Sequence, residues 1–334
     1  MTHPSGAEDP ESWQHDFEQM MRDDPGGAAD ALLAAWPEVE RDTALVDRLR
    51  AAVDRLLESD RGTLWEGGLH PVVFRAGNSL PHQGLLPAAV TYWERLLPTA
   101  VERLGPEHPD TLTITNNLLW AYGRAGDPDR ALSGFRDLLT VRRRVLGEDD
   151  QNTLATRHAV AFWQDAAGDP AGAADTLREL IPDYERVLGA DHRDTLNTRI
   201  ALVEIIGTID PARAVTDLRP LLDDFRRTLG DDSPEVFEVE VELAGLLAET
   251  GEYAEALTRV DRLLGDYRRV LGPTHLDTLT LRFLAADLHA RAGRQFEATQ
   301  AMNALRGDVA GLLDEGHREV EDLRSSIDSW SPAA

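Results

Sequence analysis

The side chains most able to do chemistry recur at fixed distances from the dipeptide Leu-Gly. His108, His192 and His275 each stand four residues after such a Leu, and imidazoles in one register could serve as metal ligands. Arg144, Arg186, Arg227 and Arg269 each stand two residues before one. The segment GEDDQN at 147–152 clusters carboxylates, but without the ligand spacing of a calcium loop, and it reads as a solvated helix start. The chain has no Cys, so a thiolate metal site, a disulfide and a cysteine nucleophile are all excluded. All 34 basic residues are Arg, which removes the lysine of a phosphate loop and every Schiff-base mechanism. No Ser or Thr nucleophile with a nearby base, no glycine-rich phosphate loop and no zinc helix motif is present. The sequence therefore predicts no catalytic, cofactor or metal residues.

The elements that position these side chains are repeats. Leu104-Gly105, Leu146-Gly147, Leu188-Gly189, Leu229-Gly230 and Leu271-Gly272 follow one another at steps of 42, 42, 41 and 42 residues. The surrounding segments LGPEHPDTL, LGEDDQNTL, LGADHRDTL, LGDDSPEVF and LGPTHLDTL share one pattern. A repeat of that length is one supersecondary unit whose apolar faces are covered by its neighbours. If each unit is two packed helices, successive histidine loops lie on the order of 20 Å apart. That separation is too great for a shared ion at ~2 Å ligand distances, so the histidines are expected to make capping or loop hydrogen bonds. The arginines fall where helices end, and the helix dipole accounts for a cation there.

Within the first full unit, Asp110 or Thr111 is placed to cap a helix carrying Leu112, Leu118, Leu119 and Tyr122, and Gly126 supplies a left-handed stop. Asp127-Pro128 restarts the chain, as do Asp169-Pro170 and Asp210-Pro211. The second helix carries Ala131, Leu132, Phe135, Leu138, Leu139, Val145 and Leu146 near the spacing of a buried face. A small residue recurs early in each second helix, at Ala89, Ala131, Ala173, Ala214, Ala256 and Ala298, where close helix crossing needs one. The aromatics Trp93, Phe135 and Tyr253 near these alanines are expected in the core. The third unit is one residue short. Its first helix is expected to stop early, near Gly207, with a turn unlike the other four.

Composition bounds the partners. The formal charge of −26 repels nucleic acid, and no long apolar run marks a membrane span. The expected location is the cytoplasm, and an all-Arg basic set with abundant Ala, Gly and Asp matches the coding bias of a high-GC bacterium. Oligomeric state is not legible.

The small Ala, the Gly-Asp turn, the helix pair and the Leu-Gly ending together resemble tetratricopeptide repeats. The 42-residue length, the loop LGPEHPDTL and the following Asn116-Asn117-Leu118 are similar to the kinesin light chain type of that repeat. The likeness spans residues 85 to 306. It implies an all-α solenoid of stacked antiparallel helix pairs wound into a right-handed superhelix, whose first helices line a concave groove for extended peptide segments of a partner. The Asn pair is replaced by His158-Ala159, Ile200-Ala201, Val241-Glu242 and Phe283-Leu284 in later units. Carried over by resemblance, the groove positions are Thr113, Asn116, Trp120 and Arg124, then Ala155, His158, Phe162 and Asp165, then Asn197, Ile200 and Glu204. Glu238, Val241, Gly245 and Glu249 follow, and then Thr280, Phe283, Asp287 and Arg291. Aromatic anchors among carboxylates suit a basic, partly apolar peptide.

The expected organisation is a disordered tail over 1–10, an irregular helical N-terminal cap over 11–83, the repeat array over 84–306 and a capping helix with a tail over 307–334. In the cap, Trp13, Phe17, Met20 and Met21 form one apolar stripe and Leu45, Val46, Leu49, Val53, Leu56 and Leu57 another. The helix around 69–83 carries Gly77 and Pro81 and should be short or bent. Three functions fit: a non-enzymatic protein- or peptide-binding adaptor, a sensor array that controls a partner enzyme on binding a peptide or small ligand, and an enzyme with an acid or His site in the groove.

Overall fold

The computed structural model describes residues 19–331 apart from 21, 41, 61 and 312–317. The tail over 1–10, the end of the chain after 331 and most of the first apolar stripe, including Trp13, Phe17 and Met21, lie outside the described residues. Among the described residues the chain is all helical, and it divides into two compact units after Gly168.

The first unit holds α1 (Pro25–Ala35), α2 (Thr43–Ser59), a short 3-10 turn (Thr63–Trp65), α3 (Pro71–His82), α4 (Leu86–Leu104), α5 (Pro109–Arg124), α6 (Pro128–Leu146) and α7 (Gln151–Ala166). The second holds α8 (Pro170–Leu188), α9 (Arg193–Ile209), α10 (Pro211–Leu229), α11 (Pro234–Glu249), α12 (Tyr253–Val270), α13 (Leu276–Arg291), α14 (Gln295–Ala310) and α15 (Arg318–Ser329). In each unit consecutive helices pack on one another, and alternate helices touch as α3 with α5 and α11 with α13.

The repeat anchors set these boundaries. Gly105, Gly147, Gly189, Gly230 and Gly272 have φ of +97°, +92°, +100°, +86° and +97°, a left-handed conformation that only glycine adopts freely. The side chains of Asp127, Asp169 and Asp210 accept the N–H three residues on, at 3.1, 2.9 and 3.1 Å, and so begin α6, α8 and α10. All six register alanines are 0% exposed, and Trp93 and Phe135 are buried beside them. At the N-terminal side, Val46, Leu49, Val53 and Leu56 bury the inner face of α2. Helix α3 is short at 12 residues, and its Gly77 leaves room for the Trp93 ring.

Two local expectations fail. Helix α5 begins at Pro109 with His108 as its cap, not at Asp110 or Thr111; Asp110 instead accepts the Leu69 N–H at 2.7 Å. The first helix of the third unit does not stop near Gly207. Helix α9 runs through Ile209, because Asp210 ends α9 and caps α10 at once, with φ of −144°. The turn is indeed unlike the others, since Gly126, Gly168, Gly251 and Gly293 take positive φ at the matching place. The missing residue is removed from the turn and not from the helix.

At the C-terminal end of the second unit, α15 packs on α13 and α14, burying Leu323 and Ile327 against Leu279, Ala286, Met302, Leu305 and Val309.

Candidate functional site

The repeated histidines are helix caps. Nδ1 of His108, His192 and His275 accepts the N–H two residues on at 3.2, 3.2 and 3.3 Å, and His70 does the same before α3 at 3.3 Å. Among the described residues no cluster of three or more His, Asp or Glu could hold a metal. The repeated arginines do more than face a helix end. Arg144 grips Glu107 through two bonds of 3.0 and 2.7 Å, Arg227 reaches Asp191 at 2.7 Å and Arg269 reaches Asp232 at 2.8 Å. Each ties the end of a second helix to the loop one unit earlier.

A cleft of about 560 Å³ opens in the second unit between α9, α11 and α13. Its sides carry Asn197, Ile200 and Glu204 from α9, Glu238, Val241 and Glu242 from α11, and Thr280, Leu281 and Leu284 from α13. Its floor is Phe225 of α10 and Tyr267 of α12, both buried, with the Tyr267 ring 5.3 Å from that of Phe237. The half-helix turn of a first helix thus presents side chains at every third or fourth residue, while the second helices close the cleft from below.

The electrostatics of the cleft are one-sided. At the rim, Glu235 is paired with Arg193, and Asp232 with Arg269. Along the sides of the cleft, Glu204, Glu238 and Glu242 have no basic partner among the described residues, nor does Glu249 two turns further along α11. Glu204 keeps an accessible edge yet is recessed enough that burial, with Glu242 and Glu238 close by, raises its pKa above the ordinary value of 4.5. Burial and Glu249 raise that of Glu242. Like charges held together in a partly desolvated cleft favour a positively charged visitor.

Of the groove positions expected in this unit, Asn197, Ile200, Glu204, Glu238, Val241 and Thr280 meet in the cleft. Phe283, Asp287 and Arg291 do not join it. Phe283 packs with Trp330 on the cluster under α15, Asp287 accepts the Trp330 indole N–H at 3.3 Å, and Arg291 donates to the Ala248 carbonyl at 3.1 Å and stands over the Tyr253 ring. The sequence reading passed over Glu242 and the floor pair Phe225 and Tyr267. A signal was present: both aromatics stand four residues before the Leu of a Leu-Gly pair, as does Tyr184.

In the first unit, Trp120 and Phe162 are brought together, ring centroids 5.2 Å apart, and both pack against Trp163, Trp120 tilted at 5.2 Å and Phe162 edge-on at 4.9 Å. Phe162 remains 48% exposed. Asn116 is half-buried and accepts from Arg142 at 3.4 Å. Arg124 is exposed, and His158 and Asp165 are half-buried.

Models of the tetratricopeptide repeat match residues 73–142 and 235–304, and a second such model matches 153–194, more than half of the chain together. The chain belongs to the tetratricopeptide repeat family. No curated protein matches its sequence. Among solved structures, the kinesin light chain repeats of Podosopora anserina superpose with a TM-score of 0.55 at 20% identity, over 62% of this chain and 98% of that one. BtubC (BKLC) from P. vanneervenii gives 0.57 at 16% identity, over 75% and 94%. NprR in complex with its cognate peptide NprX gives 0.52 at 10% identity, over 91% and 83%. At these identities the likeness is one of fold. The 42-residue period of this tetratricopeptide repeat protein resembles that of kinesin light chain repeats, and the superpositions show the same fold. No helix among the described residues is long and apolar enough to cross a membrane.

Proposed function

We propose that this tetratricopeptide repeat protein is a non-enzymatic scaffold that binds a protein or peptide, and that the cleft between α9, α11 and α13 takes a basic, partly apolar segment of it. The observation that carries this reading is the pairing of an apolar floor with carboxylates that have no cation of their own. Most Asp and Glu along the second helices of this unit are matched by an arginine, as Asp224 is by Arg199 and Arg227, and Glu255 by Arg219 and Arg259. Glu204, Glu238 and Glu242, on the first helices α9 and α11, have no arginine partner among the described residues, and they line a cleft with an apolar base. An Arg or Lys side chain entering there relieves the repulsion between them, while Ile200, Val241 and Leu284 cover apolar neighbours on the ligand. That NprR holds a peptide on a related fold supports a peptide as the visitor.

The test is a selection of random short synthetic peptides, amidated at the C-terminus, on the full chain and on a Glu204→Gln, Glu238→Gln, Glu242→Gln variant. The wild type should enrich Arg or Lys next to Leu, Val or Phe, and the variant should lose that preference. The same basic consensus from both proteins would refute the assignment of this cleft.

A further inference from the structure

The two rings that floor the cleft of the second unit differ by one oxygen, and packing does not use it. Phe225 and Tyr267 both stand four residues before the Leu of a Leu-Gly pair. Phe225, 1% exposed, shows that a plain aromatic ring fills this register. Tyr267 is 8% exposed, packs its ring at 5.3 Å from that of Phe237, and carries a hydroxyl besides. That hydroxyl has no hydrogen-bond partner among the described residues, and Tyr267 lines the cleft. Elsewhere in the chain a buried tyrosine finds an acceptor: Tyr92 donates to the Val73 carbonyl at 2.8 Å, and Tyr122 to Glu94 at 2.7 Å. A polar group this buried and left unpaired is costly, and the cost calls for a reason outside the fold.

The charges that face it come from two other helices. Glu238 of α11 and Asp277 of α13 both line the cleft. Burial, and then the charges of Asp277 and Glu238, raise the pKa of Tyr267 above the ordinary 10.0, so the phenol stays neutral. Neither acid is held by an arginine; Asp277 has only His275, the cap of its own helix, at 3.5 Å. The nearby arginines are engaged elsewhere, Arg193 with Glu235 and Arg269 with Asp232 and Asp266. The floor thus combines two carboxylates and a phenol oxygen with no cation of the protein, beside an apolar wall of Val241, Leu281 and Leu284.

We infer that Tyr267, Glu238 and Asp277 form a subsite for the primary ammonium of a lysine side chain, so that the cleft takes Lys in preference to Arg at one position of the partner segment. This rests on the reading of the cleft as the site of a basic segment. An ammonium carries three N–H donors on one nitrogen and no acceptor. Three helices offer it three acceptors, one oxygen from each carboxylate and the Tyr267 Oη, which thereby gains the partner it lacks. The lysine stem is apolar and covers Val241, Leu281 and Leu284 on the way in. A guanidinium is planar and is matched by carboxylates meeting its edge in pairs, not by three separate groups around a point.

The peptide selection already described reads this at one position of the consensus. The wild type should enrich Lys roughly tenfold over Arg at that position. Tyr267→Phe keeps the ring and removes only the oxygen, so it should still require a basic residue but accept Arg and Lys alike. Its melting temperature should equal or exceed that of wild type, because the missing hydroxyl makes no bond within the free protein. A clear drop would show that the hydroxyl serves the fold, and the subsite would fall. The selected peptide is then made with dimethyl-lysine at that position, which keeps the charge and the stem but only one donor. Calorimetry should find it bound roughly tenfold more weakly than the lysine peptide by wild type, and about equally by Tyr267→Phe. Dimethyl-lysine bound as tightly as lysine by wild type overturns the subsite. Equal enrichment of Lys and Arg by wild type, or an undiminished Lys preference in Tyr267→Phe, overturns it too and leaves the cleft assigned to a basic segment. A selection without any basic consensus overturns both readings.

Discussion

Gly123→Ala sets two well-measured effects against each other at one position. Gly123 lies in the last turn of α5, with a right-handed backbone, and replacing a helical Gly by Ala ordinarily gains up to ~1 kcal/mol. Here a Cβ would stand well under 3.0 Å from Cη2, Cζ3 and Cζ2 of the Trp163 ring. Carbon atoms settle at ~3.5–4.0 Å, so the ring must retreat by roughly an ångström or more. Trp163 is 4% exposed and packs against Trp120 and Phe162 at 5.2 and 4.9 Å, so it cannot move alone. Overpacking of that kind costs ~1–3 kcal/mol and outweighs a propensity gain already reduced near a helix end. The expected net loss is about 1–2 kcal/mol. Gly265→Ala is the control. It is an exposed residue inside α12 with nothing within 4 Å of its Cβ position, and it should gain ~0.5–1 kcal/mol. Urea unfolding followed by far-ultraviolet circular dichroism and by tryptophan emission reads both, the two probes guarding against treating separate transitions as one. A Gly123→Ala protein as stable as or more stable than wild type would show that the aromatic cluster yields, and the argument from the Trp163 contact would fail.

The remaining predictions concern charge and caps. Glu204 and Glu242 are raised above 4.5, so the folded chain holds protons that the unfolded chain has released, and stability falls as pH rises from that value through their folded pKa values. Glu204→Gln with Glu242→Gln should therefore raise the melting temperature at neutral pH, and the gain should shrink as pH falls to the ordinary carboxylate range; a gain independent of pH contradicts this. Glu240→Ala leaves Arg226, Arg259 and Arg262 around an empty buried space and should cost ~3–5 kcal/mol in denaturant unfolding, whereas Arg262→Gln leaves two partners in place and should cost far less. Asp210→Ala removes the cap from α10 at the turn that lacks a left-handed glycine, for an expected ~1–2 kcal/mol, at least as much as Asp127→Ala at a turn that has one.

The fold was legible because the features that define it are backbone features. A left-handed Gly, an Asp-Pro start and a small Ala at a crossing each leave one or two residue types able to do the work, and repetition exposes them. The length of α9 was misread for the same reason. A missing residue was assigned to the helix, when a single Asp that both ends one helix and starts the next absorbs it at lower cost. The site was less legible. Register put Asn197, Ile200, Glu204, Glu238, Val241 and Thr280 on one face, where they line a single cleft, but it could not show that α15 and Trp330 engage Phe283 and Asp287, since that contact depends on a non-repeating segment. Nor could it show which acids go unpaired, because pairing is decided by arginines on other helices.

The buried charge of α11 makes the division of labour explicit. Eleven residues after the Leu of successive Leu-Gly pairs stand Arg199, Glu240 and Arg282. Arg199 pairs with Glu185 at 2.5 Å, and Arg282 with Asp308 at 2.6 Å. In the unit between them the pair is reversed: Glu240, 0% exposed, takes Arg226, which stands in the register of Glu185, and adds Arg259 and Arg262. Glu185 with Arg199 and Arg226 with Glu240 occupy one pair of registers, so the repeat fixes the distance between two side chains there and is indifferent to the sign each one carries. What a given register does is then set by its residue alone. The position that is tyrosine or phenylalanine under the acidic cleft is arginine, at Arg142, in the first unit.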